Sequence, residues 1–393
     1  MKYDLDHLPD RRPTDSIKWN EYDEDVIPMW VADMDFPVAE PILRSLRSRV
    51  DHGVFGYPNY VHPKGDTVTD LQEVLLARMQ TRYHWQVQPE ELLFLPGVIT
   101  GLNLTCLAHA EPGGGVLIQT PVYPPFFRTA PHAGMVLQEV QLVRGSDGVY
   151  EVDWEAFEAA FTDQTKVFVL CNPHNPVGRV FRRDELERMA EICLRRDVVI
   201  CSDEIHCDLI FEGYQHTPIA SIDPEIARHT VTLMSPTKTY NIAGLQSSFA
   251  IIQDEALRQR LIGAMHGLVM WTNLMGANAA LAAYRGGQEW LEQVMDYLEM
   301  NRNTLYDYVC QELPGVEMAK PEGTYLAWLD CRKINMKCSP FEFFMNEARV
   351  GFNDGSTFGK GGDGFVRMNF ACSRYVLGEA LLRMRAALEK LSG

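Results

Sequence analysis

Short apolar runs that end in polar or glycine-containing segments are the feature that most constrains the fold of this chain. Runs of this kind lie at residues 92–94, 167–170, 198–201 and 231–234, and each is apolar on both faces. Buried parallel strands have this composition, because helices cover both faces of such a sheet. The sequence therefore predicts a parallel sheet whose functional groups lie together at the carboxyl ends of its strands.

The segment after the last of these runs, Ser235-Pro-Thr-Lys238-Thr, places a lysine among hydroxyl groups. A lysine that bonds covalently to a carbonyl cofactor must be held where its amine can lose a proton, and a rigid strand end provides this. Neighbouring hydroxyls and free backbone N–H groups suit a phosphate. Considered alone, a segment of this kind is more often a solvated loop lysine.

Further motifs in a fixed order along the chain favour the functional interpretation. They are Gly97-Val-Ile-Thr-Gly101, Asn172-Pro-His-Asn175-Pro-Val-Gly178, Ser202-Asp203-Glu-Ile-His206, the lysine segment above and the late Arg367. This order resembles the fold-type I pyridoxal phosphate (PLP) enzymes. Within them the chain resembles the MalY/PatB group of carbon–sulfur β-lyases, on the segments Val31-Ala-Asp-Met-Asp-Phe36, Phe55-Gly-Tyr57, Thr120-Pro-Val-Tyr-Pro-Pro-Phe126 and Glu322-Gly-Thr-Tyr-Leu-Ala-Trp328.

The resemblance implies the α/β architecture of fold-type I PLP-dependent transferases. This is a mostly parallel seven-stranded sheet sandwiched by helices, with a smaller α/β domain. It divides the chain into an N-terminal arm (1–45) that joins the small domain, a large PLP-binding domain (46–285) and a C-terminal small domain with a bridging helix (286–393). Strands are predicted near 91–95, 115–119, 166–171, 197–202, 230–235 and 248–253, and helices at 289–309 and 376–391.

The resemblance also assigns a cofactor, pyridoxal 5′-phosphate, to residues at the strand ends. Lys238 is the candidate Schiff-base lysine and, once released, the base that removes the substrate Cα proton. Asp203 is expected to pair with the pyridine nitrogen, and Ile205 and Tyr123 are expected to contact opposite faces of the ring. The other candidate cofactor-binding residues are Gly97, Val98, Ile99, Asn175, His206, Ser235, Thr237 and Tyr57.

Arg367 is the candidate residue for the substrate α-carboxylate, because a guanidinium group binds a carboxylate through two parallel hydrogen bonds. The remaining candidate substrate-binding residues are Val31, Ala32, Asn175 and Tyr123. The predicted catalytic residues are Lys238, Tyr123 and Asp203. Structural roles are predicted for the charged side chains Arg179, Asp33 and Asp35.

Two activities share this set of residues. The first is α,β-elimination of L-cystathionine or related cysteine S-conjugates to a thiol, pyruvate and ammonia; the second is transamination. Many fold-type I aminotransferases have an arginine eight residues after the lysine to bind the phosphate, and this chain has Gln246 there. Together with the group resemblance, this difference favours the lyase.

The resemblance also bears on the partners of the chain. Tyr57 resembles a tyrosine that reaches the phosphate of the neighbouring subunit, which implies a homodimer with shared active sites. Members of the MalY/PatB group can carry a regulatory protein-binding role beside the lyase activity. We therefore keep a regulatory protein partner, beside or instead of catalysis, as a further alternative.

Composition narrows the remaining classes of function. The formal net charge of −17 argues against a nucleic-acid or anionic-membrane surface. The nine cysteines have no regular spacing, which predicts reduced, buried thiols rather than disulfides or metal ligands. The sequence contains neither a basic-then-apolar leader nor an apolar run of membrane-spanning length, so a cytoplasmic enzyme is expected. No metal site is predicted.

Overall fold

The structure is a computed structural model that describes residues 2–60 and 67–392. Its strands are β1 (Ile27–Pro28), β2 (Leu92–Leu95), β3 (Gly115–Thr120), β4 (Val136–Gln141), β5 (Val143–Arg144), β6 (Tyr150–Glu151), β7 (Thr165–Cys171), β8 (Val199–Asp203), β9 (Thr230–Met234), β10 (Ser248–Ile251), β11 (Leu326–Asp330), β12 (Val350–Gly351), β13 (Asn353–Asp354) and β14 (Phe365–Asn369). Its α-helices are α1 (Ile17–Asn20), α2 (Glu40–His52), α3 (Thr67–Tyr83), α4 (Val98–Ala108), α5 (Phe126–His132), α6 (Trp154–Ala159), α7 (Arg183–Arg195), α8 (Pro224–Arg228), α9 (Pro236–Thr239), α10 (Glu255–Met265), α11 (Leu274–Gly286), α12 (Gln288–Glu312), α13 (Pro340–Phe343) and α14 (Arg374–Ser392).

A seven-stranded sheet in the order β2-β10-β9-β8-β7-β3-β4 forms the centre of the described structure. Neighbouring strands are parallel except for β10, which is antiparallel to both β2 and β9. Strands β3 and β9 are buried at every position, because helices pack on both faces of the sheet. The predicted α/β class and mostly parallel seven-stranded sheet are confirmed.

All six predicted strands are present, with ends that differ from the prediction by at most two residues. The edge strand β4 was not predicted. Its residues are mostly exposed or half-buried, so it lacks the two-sided apolar composition by which the other strands were found. Strand β4 lies at the end of the sheet order and pairs with β3 on one side.

The carboxyl-terminal part of the chain builds a second, three-stranded antiparallel sheet in the order β11-β14-β13. The two predicted helices are confirmed there: α12 reaches it from the large sheet, and α14 packs against α12. Residues of the N-terminal segment share a hydrophobic core with this part, and β1 pairs with β12. We therefore propose the division into an arm (1–45), a large domain (46–285) and a small domain (286–393).

In the described residues, no helix is long and apolar enough to cross a membrane. The same residues contain no group of three or more histidine, cysteine, aspartate or glutamate side chains arranged to hold a metal ion. All nine cysteines are free, and seven of them are buried. The cysteines therefore pack mainly as small apolar residues, as their irregular spacing predicted.

Candidate active site

One cavity of about 390 Å³ collects most of the predicted site residues at the carboxyl ends of β7, β8 and β9. Parallel strands bring segments that are far apart in sequence to the same edge of a sheet, where ligands bind. The predicted residues that line the cavity are Ala32, Gly97, Val98, Ile99, Tyr123, Asn175, Asp203, Ile205, His206, Thr237 and Lys238. It is also lined by Thr100, Cys171 and Gln246, none of which was predicted to bind the cofactor or the substrate.

Lys238 lies on the short helix α9, immediately after β9. Ser235 caps this helix, because its hydroxyl oxygen accepts a hydrogen bond of 3.0 Å from the backbone N–H of Thr237. The Lys238 amine donates to the carbonyl oxygen of Ala32 at 2.6 Å. Burial, reinforced by the charge of Arg367, lowers the lysine pKa to about 8. A substantial fraction of the amine is therefore neutral, and nucleophilic, near neutral pH.

Asp203 ends β8 and is almost completely buried. Burial, with a smaller effect of the Glu204 charge, raises the pKa of Asp203 to about 7. A backbone N–H, from Ile205, donates to the carboxylate at 3.1 Å and partly opposes this rise. The described residues offer Asp203 no ion pair within 4.0 Å, so its carboxylate is suited to a cationic group that enters the cavity.

The amino-terminal end of α4 forms another wall of the cavity. Gly97 caps this helix in an extended conformation, and Val98 and Ile99 are in its first turn. The first N–H groups of a helix have no partner within it, and the helix dipole adds positive potential there. Thr237 and Gln246 line the same cavity. This part of the cavity is chemically suited to a phosphate group.

Tyr123 and His206 place aromatic rings at the cavity. Tyr123 is partly buried, and burial raises its pKa, so the phenol keeps its proton at neutral pH. His206 is buried with its ring 6.0 Å from that of Tyr325, edge to face. Burial, with the charges of Lys238 and Arg367, lowers the pKa of His206 to about 3, which keeps the imidazole neutral.

Arg367 lies on β14 and is 3% exposed. Its Nη1 donates to Asn175 Oδ1 at 3.0 Å, and its Nη2 donates to the Trp30 carbonyl oxygen at 3.0 Å and to Asn353 Oδ1 at 2.6 Å. Burial lowers the pKa of Arg367 to about 10, and no described carboxylate lies within ion-pair distance. A buried guanidinium group surrounded by neutral acceptors is suited to an anionic ligand.

The contact with Arg367 also fixes the orientation of the Asn175 side chain. A guanidinium group only donates hydrogen bonds, so the amide oxygen of Asn175 must face Arg367. The amide nitrogen then faces away from it, and Asn175 lines the cavity. Asn175 can therefore donate a hydrogen bond to a ligand oxygen, as predicted for the ring hydroxyl.

The segment 31–36 lies beside the amine of Lys238 and is held by side chains from other parts of the chain. The Tyr325 hydroxyl donates to the Ala32 carbonyl oxygen at 2.9 Å, the same acceptor that Lys238 uses. Asn369 Nδ2 donates to the carbonyl oxygens of Val31 and Asp33 at 2.5 and 2.7 Å. Val31 itself lines a neighbouring cavity of about 510 Å³, to which Ala32 and Lys238 also contribute.

The three charged residues for which structural roles are predicted, Asp33, Asp35 and Arg179, all form ion pairs. Asp33 and Asp35 pair with Arg11 at 2.6 and 2.8 Å, and Asp35 also pairs with the buried Lys18 at 3.0 Å. Arg179 forms a buried pair with Glu185 at 2.7 Å. These contacts support the structural interpretation of Asp33, Asp35 and Arg179.

Two predicted cofactor residues do not line the cavity. Ser235 is buried behind Thr237, and its hydroxyl donates to the Ser247 carbonyl oxygen at 2.7 Å. Tyr57 is 94% exposed and is not among the residues that line the cavity of its own chain. Their roles as cofactor ligands stay predictions.

Sequence reasoning missed three side chains that contact the predicted ones, namely Asn353, Asn369 and Tyr325. Tyr325 lies inside the segment Glu322–Trp328, which carried the family resemblance, and Asn369 lies two residues after Arg367, so the signal was present. Asn353 lies in the short strand β13, outside every motif. It was brought to Arg367 by strand pairing alone, which a single sequence does not reveal.

Comparison with known proteins places the chain in a family. The family model "Aminotransferase class I and II" matches residues 25–383. The chain is 39% identical to "Cystathionine beta-lyase PatB" of Bacillus subtilis, with 98% of this chain and 99% of PatB covered.

Two solved structures are similar to the chain. Cystalysin from Treponema denticola, which contains a pyridoxal 5′-phosphate cofactor, has a TM-score of 0.93 and 32% identity, with both chains fully covered. The PLP-bound C–S lyase from Staphylococcus hominis has a TM-score of 0.91 and 33% identity, over 98% of this chain and 99% of that one. The chain belongs to the aminotransferase class I and II family and, within it, to the group that contains PatB.

Proposed function

We propose that this chain is a PLP-dependent carbon–sulfur β-lyase. It would act on L-cystathionine or related cysteine S-conjugates and release a thiol, pyruvate and ammonia. The observation that supports this most directly is the single cavity that joins Lys238, Asp203 and the α4 amino terminus, with Arg367 hydrogen-bonded to one of its lining residues. Similarity to PatB, over nearly the whole of both chains, favours elimination among the reactions that such a cavity supports.

The residues present fit pyridoxal phosphate. Lys238 supplies an amine with a lowered pKa for the bond to the cofactor aldehyde. Asp203 supplies a buried carboxylate, with no ion-pair partner among the described residues, for the pyridinium nitrogen. Gly97, Val98 and Ile99 supply the start of a helix for the phosphate. When bound, pyridoxal phosphate supplies an electron-accepting ring that stabilises negative charge at the substrate Cα.

Each group of the chain then has a defined task. Arg367 binds the substrate carboxylate and orients the amino acid. Lys238, once released, removes the Cα proton; its lowered pKa makes it a competent base near neutral pH. Asp203 would hold the pyridinium nitrogen through its negative charge. Asn175 would donate to the ring oxygen through its amide nitrogen, because its amide oxygen faces Arg367.

The departing sulfur needs a proton or a strong stabilising contact. Lys238 carries a proton after it has served as the base, and the Tyr123 phenol stays protonated at neutral pH. Both residues line the same cavity. We propose that one of them protonates the thiolate as the Cβ–S bond breaks.

Transamination is the competing function, because the family is defined by aminotransferases and requires the same residues up to Cα deprotonation. The two reactions are separated by supplying L-cystathionine to purified, PLP-loaded protein without any 2-oxo acid. Equal release of pyruvate and free thiol is expected. Turnover that begins only after a 2-oxo acid is added would reject the lyase.

We further propose that two copies of the chain form a dimer that shares active sites. Exposed large apolar side chains support this; they are concentrated in two segments of the chain, at Val54, Phe55 and Tyr57 and at Leu268, Met270 and Trp271. Apolar groups of this kind on a folded chain mark interaction sites, and a second copy would cover them. Sedimentation analysis at assay concentrations tests this, and a monomer of full activity would reject it.

A cytoplasmic location is proposed from the nine free cysteines, since reducing compartments keep thiols in this form. Cell fractionation tests it, and recovery outside the cytoplasm would reject it. The regulatory protein partner stays a prediction.

A further inference from the structure

The donors of Arg367 are unevenly engaged. Nη2 has two hydrogens and two acceptors, the Trp30 carbonyl oxygen at 3.0 Å and Asn353 Oδ1 at 2.6 Å. Nη1 has one acceptor, Asn175 Oδ1. Nε is buried and has no partner among the described residues. The phenyl ring of Phe358 lies under the guanidinium group, 5.0 Å from its carbon, and offers no further acceptor.

This arrangement conflicts with binding a carboxylate through two parallel hydrogen bonds. Each edge of a guanidinium group that presents two parallel N–H bonds includes Nη2, together with either Nε or Nη1. Both hydrogens of Nη2 are already engaged. One of its two acceptors must therefore leave before a substrate carboxylate can be bound in this way.

Of the two acceptors, Asn353 is the one that can leave. The Trp30 oxygen belongs to the backbone, just before the segment that Asn369 holds by two hydrogen bonds. Asn353 lies directly across from Arg367 in the β13–β14 pair, and it reaches the guanidinium group through a side chain that can rotate. Rotation frees one hydrogen of Nη2 and can turn the amide N–H group of Asn353 toward the arriving anion.

The chemistry of this side chain also matters. Asparagine presents a neutral oxygen, so the charge of Arg367 is not compensated before the substrate arrives. An aspartate of the same shape would compensate it and would repel a carboxylate. We propose that Asn353 is an exchangeable acceptor that occupies the carboxylate site of Arg367, yields to the substrate and determines selectivity for an amino acid with a free carboxylate. This inference rests on the proposed function of Arg367.

The test compares binding of a carboxylate ligand that has no leaving group on Cβ with binding of its amide. L-alanine and L-alaninamide are titrated into PLP-loaded wild-type protein, Asn353→Asp and Asn353→Ala, and the visible absorption of the bound cofactor is followed. For Asn353→Asp we expect the dissociation constant of L-alanine to rise about 100-fold or more, with that of L-alaninamide unchanged or lower. For Asn353→Ala we expect a rise of about tenfold or less, since one hydrogen bond is lost.

Asn346→Asp is the matched control, because it adds the same charge to the same domain at an exposed position. It should bind both ligands as the wild type does. Wild-type affinity of Asn353→Asp for L-alanine would overturn the inference, as would an equal loss for both ligands. If neither ligand changes the wild-type spectrum, the proposed function fails and this inference fails with it.

Discussion

The two ends of the candidate site are built in different ways. The lysine end comes from the large sheet, where Asp203 ends β8, Lys238 lies on the short helix that follows β9, and α4 begins shortly after β2. The carboxylate end comes from the small sheet and the N-terminal segment, where Arg367 meets Asn353 and the Trp30 carbonyl oxygen. Sheet topology alone defines the first end, and packing between distant segments defines the second.

This difference predicts that the two ends respond differently to substitution. Groups at the lysine end take part in the chemistry, so their loss should lower kcat. Groups at the carboxylate end hold the substrate, so their loss should mainly raise KM. Four measurements test this distinction.

The largest effect is expected for Lys238→Ala. The variant loses both the covalent link to the cofactor and the base, so kcat should fall on the order of 10³-fold or more. The visible absorption band of the lysine–cofactor bond should disappear. Lys166→Ala, at the start of β7, is the control and should keep the band. A Lys238→Ala protein that retained the band would place the cofactor bond on another lysine.

A smaller effect, and a different one, is expected for Arg367→Ala. Loss of one partner of a buried charged pair costs about 2–5 kcal/mol, which corresponds to a rise in KM of about 30-fold or more. We expect kcat to change much less. Steady-state kinetics with L-cystathionine measure both constants, with Arg385→Ala on α14 as the control. An unchanged KM would move the carboxylate site elsewhere.

Tyr57→Phe tests whether each subunit contributes a tyrosine to the active site of its neighbour. Loss of one hydrogen bond to a charged phosphate should weaken cofactor retention by about tenfold. Mixing this variant with Lys238→Ala should restore activity at limiting cofactor, because a mixed dimer contains one site with both native residues. Activities that simply add after mixing would show that each subunit has a self-contained site.

The smallest expected effect is a shift in the pKa of Lys238, which tests whether the charge of Arg367 at the carboxylate end acts on the lysine end. The positive charge of Arg367 lowers the pKa of Lys238, so removal of that charge should raise it. The rate at which the apoprotein bonds to PLP should increase as pH rises through about 8, as the neutral amine forms. In Arg367→Gln the midpoint should lie at higher pH. An unchanged midpoint would show that the two ends are electrostatically independent.

The lysine end of the site could be predicted from sequence more fully than the carboxylate end. Asp203 and Lys238 could be found because a buried strand precedes each, and strand ends meet at one edge of the sheet. Arg367 could be found only through its motif. Asn353 could not be found, because its contact with Arg367 depends on the register of β13 against β14.

Tyr57 and β4 show two other limits. Tyr57 was predicted by resemblance, and the fold of its own chain leaves it exposed, so a second chain would have to complete its role. Strand β4 was missed because a search for two-sided apolar runs cannot detect a half-exposed edge strand. Sequence patterns therefore predicted buried, locally encoded features better than features that depend on distant partners.

The Ala32 carbonyl oxygen accepts hydrogen bonds from both Lys238 and Tyr325. Because this oxygen belongs to the main chain, every amino acid at position 32 supplies it, and a mutational scan of that position would not detect its contribution. Replacing the amide between residues 32 and 33 by an ester would weaken the acceptor, although it would also remove the Asp33 N–H bond to Val31. Functionally important atoms of this site can therefore lie in the main chain, where no side-chain substitution removes them.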